Sequence, residues 1–281
     1  MMKTVTVGIC TVAPMLFAAG AYAGGIEGIQ WGASAVTVVQ GTTGMALEGD
    51  SIEATASLDM EASCAAGDNG LFFVLLEAGA GAGCDGRLES LHGLNAAADD
   101  NGNARLGELW YQHSWMDGSV ALRAGMVNPG SAGFDGNDVA GGEAEQFLSG
   151  AFVNSPVIAF PDNGFGIVAT AAPVRMLEIG LALQDAEASW SGIGEAVFGM
   201  AELRLTPEIG GLAGNYRVYG WLNGADHQLI ASPEEEPAGN SGFGISFDQH
   251  VTEAIALFCR YGFQDRSVSR FCSAWSAGAQ W

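Results

Sequence analysis

The chain has 281 residues, of which 48% are hydrophobic and only 15% charged, and its 32 acidic side chains outweigh 10 basic ones to give a formal net charge of −22. So acidic a chain will not hold nucleic acid by releasing counterions from phosphates, and its charged fraction lies well below the ~25% of an ordinary soluble domain. No later segment offers the run of about 18 apolar residues that a helical membrane span requires.

The opening residues, "MMKTVTVGICTVAPMLFAAGAYAGG", carry one lysine, an apolar stretch from about Val5 to Ala19, and Ala-Tyr-Ala before Gly24. This pattern reads as a secretory signal peptide over residues 1–23, cleaved near Ala23, so the mature chain over 24–281 is expected outside the cytoplasm as one domain. Cys10 leaves with the signal. Cys64, Cys84, Cys259 and Cys272 then sit in an oxidising compartment with three pairings open. Cys259 and Cys272 flank one turn but fall on opposite faces of their strands, which argues against a simple cross-strand bridge. No Cys/His spacing suits a metal, and no cofactor is implied.

Alternating segments then follow one another to the C-terminus, broken by Gly, Asp, Asn and Pro. The expected strands cover 29–40, 51–63, 70–83, 105–115, 120–127, 165–172, 175–184, 195–206, 215–223, 241–247, 252–263 and 269–281. Each is close to the ~9–11 residues of a tilted membrane strand. In the second, Ile52, Ala54, Ala56, Leu58 and Met60 share one face, and Glu53, Thr55, Ser57, Asp59 and Glu61 the other. In the ninth, Tyr216, Val218 and Leu222 oppose Asn215, Arg217, Tyr219, Trp221 and Asn223. Such alternation fits a soluble sandwich or a barrel turned inside out, because period two fixes the faces but not what each face meets.

The fourth and fifth strands can be placed in register. Asp117-Gly118 is a favoured pair for a two-residue hairpin loop, since both residues tolerate positive φ. Pairing Met116 with Ser119 puts Trp115, His113, Tyr111 and Leu109 on one face with Val120, Leu122, Ala124 and Met126. The other face takes Gln112 with Arg123, Trp110 with Gly125, and Glu108 with Val127.

Connection length decides between the two architectures. The long connections 84–104, 128–164 and 224–240 all fall at odd places, while the even ones are short. A soluble sandwich has no reason to sort its loops by parity, whereas an outer-membrane barrel has short periplasmic turns and long external loops. The fold expected is therefore an all-β, antiparallel transmembrane β-barrel of about 12 strands.

The motifs "HGLN" at His92 to Asn95, "GELWYQHSWMDGSVALRAGMVNPGSAGFD" from Gly107 to Asp135, and "FLSGAFVNSP" from Phe147 to Pro156 resemble the OprB-type carbohydrate-selective porins. The resemblance is concentrated between Ser51 and Pro156 and looser up to Trp281. It implies an outer-membrane pore for passive diffusion of mono- or small oligosaccharides, usually built of about sixteen strands, so this chain reads as a shortened member or a fragment. Met126 stands where the family often has Lys, and Ser149 where it has Asn, so fine selectivity is not carried over. The resemblance further implies that the third external connection folds into the lumen and narrows it, bringing Asp135, Asp138, Glu143, Glu145 and Phe147 to a constriction.

Sugar contacts would come from planar side chains that stack on pyranose faces and from charged or amide groups that bond hydroxyls. Trp110, Gln112 and Arg123 are the first candidates, followed by Glu108, Glu202, Arg204, Arg217, Tyr219 and Trp221. The partners expected are small sugars and outer-membrane lipids; the oligomeric state, monomer or trimer, stays open. A general non-selective porin and a soluble secreted adhesin or lectin-like protein are the alternatives. An enzyme is not expected: His92 and His227 fall in external loops, His113 on the lipid side and His250 in a short turn, with no nucleophile elbow beside them.

Overall fold

Period-two alternation becomes strand along the whole described chain. The computed structural model describes residues 24–26, 28–42, 51–86, 92–98, 102–143, 145–235 and 237–281; the segment read as a signal peptide, 1–23, lies outside them. The strands are β1 (Gly24–Ile26), β2 (Ile29–Thr42), β3 (Ser51–Ala66), β4 (Gly70–Ala80), β5 (Arg105–Trp115), β6 (Val120–Val127), β7 (Gly164–Val174), β8 (Leu177–Asp185), β9 (Val197–Leu205), β10 (Glu208–Ile209), β11 (Leu212–His227), β12 (Ala238–His250), β13 (Ala256–Gln264) and β14 (Ser273–Gln280). They form one 14-stranded antiparallel sheet in sequence order, with the two-residue β10 appended to β11. Among the described residues the sheet is not closed, since no pairing joins β14 to β1 or β2.

The twelve expected strands correspond to β2–β9 and β11–β14. β13 starts later than its apolar pattern suggests because Thr252 turns the chain first: its Oγ1 accepts the N–H groups of Ala254 and Ile255. β11 and β12 run longer than expected, so His227 and His250 close strands rather than sit in loops. The β5–β6 hairpin has the expected register, from Leu109 opposite Met126 to Trp115 opposite Val120. Asp117 and Gly118 take φ of 55° and 87°, and Met116 joins them at 53°. Cys64, Cys84, Cys259 and Cys272 are thiols.

The two faces of the sheet are solvated in reverse. On β9, β11 and β12, Leu203, Val218 and Phe243 are 46%, 49% and 59% exposed, while Glu202, Arg217, Ser246 and Asp248 on the opposite face are buried. Leaving one large apolar side chain in water forfeits about 1.5–3 kcal/mol, and this face repeats the loss from Leu58 and Phe72 to Leu257 and Phe263. Only a hydrocarbon surrounding removes that cost, so the apolar face is a membrane face and the polar one is internal. The short-turn end carries Trp115 and His113 ring-edge to ring at 4.6 Å, with the Tyr111 hydroxyl 2.9 Å from His113 Nδ1. Amphipathic rings of this kind suit the membrane–water boundary.

What fills the interior is the connection between β6 and β7, residues 128–163. Phe134, Val157 and Ile158 of this loop pack with Val168, Phe198, Met200, Tyr219 and Trp221 from strand inner faces. A second cluster joins Val139 and Ala140 to Ala256 and Phe258, with Phe147 and Phe152 against it. The connection over 128–163 thus folds inward, and the hydrophobic core of the protein lies between that loop and the inner wall.

Candidate functional site

The inward loop is held by polar groups that strand alternation aims at it. Asp135 reaches deepest: its backbone N–H donates to Glu202 Oε2 at 3.0 Å, and its Oδ2 accepts the Ser155 N–H at 2.6 Å. Burial drives the Asp135 carboxyl above the usual range, and Arg260, the Ser155 N–H and Arg217 pull against that rise. Asn137 follows, donating from Nδ2 to Ser246 Oγ at 3.1 Å while its Oδ1 accepts the N–H groups of Val139 and Ala140. The Asp138 N–H then donates to Asp248 Oδ2 at 3.0 Å. On the return limb Asn223 Nδ2 donates to Ala159 O, Gln184 Nε2 to Asp162 O, and Asn163 Nδ2 to Gly107 O.

Several residues expected to touch solute belong to this anchorage. Arg217 donates from Nη1 to Glu202 Oε1 at 2.5 Å and to Gly133 O at 2.6 Å, and from Nε to Asn215 Oδ1 at 3.3 Å. Gly136 makes that approach possible, since a Cβ there would stand 2.7 Å from Arg217 Nη2. Arg204 donates to the same Asn215 Oδ1 at 3.0 Å. Tyr219 is buried with its hydroxyl on Ser155 Oγ at 2.9 Å, and Trp221 is buried in the core cluster. A residue absent from the sequence-derived set, Arg260 on β13, is 1% exposed and donates to loop carbonyls. Its signal in the sequence was a lone arginine on the polar face of a strand whose other face is Leu257, Tyr261 and Phe263.

The opening hairpin makes a different arrangement. Trp110 stacks on Phe73 of the neighbouring β4 with centroids 4.7 Å apart, and Arg123 lies over its ring at 3.8 Å. The Trp110 indole N–H donates to Glu108 Oε2 at 2.9 Å, and Arg123 Nη2 to Gln112 Oε1 at 3.4 Å. Gly125, opposite Trp110 with φ of 140°, leaves room for this stack: a Cβ there would lie 2.8 Å from Trp110 Cα. Trp110 and Glu108 are buried, Trp110 as part of the core cluster, whereas Gln112 and Arg123 are half-buried. The group is open to water at Gln112 and Arg123.

The inner wall of β2–β4 is covered by a different segment toward its long-loop end, where Gln40 accepts the Cys84 N–H and Thr55 the Asn95 amide. Gln30, Ser34 and Glu61 on that face are exposed, and Asp59 pairs across strands with Glu77. Of the loop acids, Asp135 is buried, whereas Asp138, Glu143 and Glu145 are exposed. Although water reaches it, Glu143 lies deep enough that burial raises its carboxyl above the usual range, and the nearby Asp59 and Glu77 raise it further. Phe147 turns away from water, stacking on Phe152 at 5.1 Å and edge-on to Phe258 at 5.5 Å. At the long-loop end, Glu77, Asn103, Arg105, Asn128, Asp162 and Asn163 line a polar cavity of about 670 Å³. A hydroxyl-rich solute would find amides, carboxylates and guanidinium groups along this side.

The family model described as carbohydrate-selective porin, OprB family, matches residues 46–280. Among solved structures, the high-pH structure of Pseudomonas putida OprB superposes with a TM-score of 0.75 at 14% sequence identity, over 90% of this chain and 70% of that one. The low-pH structure of the same protein gives 0.30 at 9% identity, over 90% of this chain and 86% of that one. No curated protein matches. At such identity the first likeness speaks for the fold.

Proposed function

Because the chain belongs to the carbohydrate-selective porin family of OprB, we propose that it forms an outer-membrane channel for passive diffusion of mono- or small oligosaccharides, with its short turns at the periplasmic side and its long loops outside. The observation that carries this reading is the reversed solvation of the sheet. An apolar face that only lipid can satisfy backs an inner face of amides, carboxylates, arginines and stacked aromatics, across which one long loop is laid. A wall that only needed to be stable would have no use for that inner chemistry, because each buried polar group costs desolvation unless it is paired.

Within the lumen the candidate residues take two parts. Glu202, Arg217, Tyr219 and Trp221 hold the loop, together with Asp135. Gln112 and Arg123, backed by the buried Trp110 and Glu108, form the surface offered to solute. Each contact there is weak enough to be exchanged, which conduction requires. Planar-bilayer conductance with glucose, maltose and a neutral non-sugar of like size as blockers tests the reading. Channel steps blocked by the sugars alone support it; equal effects from all three would make the pore a general one, and no steps would end it.

A further inference from the structure

We infer that Arg260, seconded by Arg217, is the positioning residue that sets the aperture of the channel by binding the backbone of the inward loop at three places. The inference rests on the pore reading above and concerns how the passage is narrowed rather than what passes.

Arg260 sits on the inner face of β13, between the small cross-strand neighbours Ser246 on β12 and Ser276 on β14, which leave its guanidinium room to extend. Nη1 donates to Phe152 O and, at 2.9 Å, to Val153 O; Nη2 donates to Asp135 O at 3.0 Å. Nε faces Asp135 Oδ1 at 4.0 Å. One side chain therefore ties the descending limb of the loop, at Asp135, to the short helix Gly150–Val153 on its return. Arg217 holds the same limb two residues earlier, at Gly133 O. All these hydrogen bonds to the loop end on its carbonyls, so they fix where its backbone lies whatever its side chains do. A planar, always-charged fork suits that task, since a single ammonium cannot reach acceptors on both limbs.

The consequence is geometric. With both limbs drawn onto the β9–β13 side, the inner residues of those strands are buried, while Gln30, Ser34 and Glu61 on β2 and β3 stay open. The passage is the crescent that the loop leaves uncovered. Releasing the Arg260 anchor would let the loop move off the wall, widening the crescent and loosening Glu143 from its place near Asp59 and Glu77.

Arg260→Ala, Arg260→Lys and, as a control, Arg175→Ala at an exposed short-turn position would be compared with the parent protein after each is shown to migrate as a heat-modifiable barrel. Expected are a rise in single-channel conductance, loss of maltose block, and faster cleavage by a Glu-specific protease at Glu143 and Glu145. Arg260→Ala should change most, Arg260→Lys less, and Arg175→Ala not at all. Unchanged conductance, block and cleavage in either folded Arg260 variant would overturn the inference. Should Arg260→Ala not fold, Arg260→Lys decides alone. If the parent gives no channel steps the pore reading falls, and the cleavage rates still decide whether Arg260 holds the loop.

Discussion

Replacing Arg123 by alanine sets two effects of opposite sign against each other. The guanidinium is half-buried and has one bond, to Gln112, so its outer Nη groups can offer a solute hydroxyl a charge-assisted hydrogen bond. Such bonds contribute about 1.5–3 kcal/mol net, and the lower end applies to a half-exposed group. Its removal also uncovers the Trp110 face now lying 3.8 Å beneath it, and a bare indole face would regain about 0.5–1.5 kcal/mol by stacking on a sugar ring. The donor loss, taken at its lower end of about 1.5 kcal/mol, outweighs the smallest stacking gain of about 0.5 kcal/mol by about 1 kcal/mol, which is about fivefold in a block constant. Arg123→Ala should therefore weaken sugar block by up to about fivefold. Arg123→Lys, which keeps the charge but loses the fork, should change it less. The assay is the concentration dependence of glucose and maltose block in planar bilayers, on protein shown to be a heat-modifiable barrel. An unchanged constant would remove Arg123 from the sugar path; a tighter one would mean that Trp110 is the working surface and Arg123 only its cover.

Other parts of the structure answer to equally direct tests. Arg217→Met should leave the buried Glu202 uncompensated at a cost of about 3–5 kcal/mol, and adding Glu202→Gln should return most of it; thermal loss of the heat-modifiable form reads both, and a double variant no better than the single would dissolve the pair. Leu203→Arg places a charge on the outer face between Ile179 and Val218, where about 2–4 kcal/mol is lost at the bilayer midplane. It should sharply reduce the folded fraction in lipid vesicles, and equal folding would mean that this face does not meet lipid. Glu143, raised by burial and then by Asp59 and Glu77, is disfavoured as an anion in the folded loop. That penalty is present at neutral pH and is relieved as pH falls from above through the raised value, over a window reaching down to the ordinary carboxylate range. The parent conductance should shift in that window and Glu143→Gln should be flat there; identical pH profiles would refute the assignment.

The alternation of Ile52 to Glu61, the Asp117-Gly118 turn and the parity of loop lengths made the strands, one hairpin register and the direction of each face legible, because all three are local or nearly so. The strand ends were less legible where turn chemistry intervened, as at Thr252. The destination of the loop over 128–163 came from family likeness, since nothing in its own composition says whether it waits outside or lies within. Contacts such as Asn137 to Ser246 and Asp138 to Asp248 join residues far apart in the chain. Neither partner carries a mark that names the other.

That blindness explains why one list of lumenal residues mixed two kinds. From sequence, Arg123, Arg217 and Arg260 are the same object, a cation on the polar face of a strand. They differ in how far the folded loop seals them from water: Arg217 and Arg260 are buried, whereas Arg123 is half-buried. Arg217 donates to Glu202 and to Gly133 O, and Arg260 to the carbonyls of Val153 and Asp135, so a sugar hydroxyl would have to displace a bond to a buried group and leave it orphaned. Arg123 gives one donor to an amide that water could replace. Of the three, a solute reaches a guanidinium only at Arg123. Accessible, exchangeable donors, not charge or position on the wall, mark the surface along which a sugar could move, and that access is a property of the folded loop.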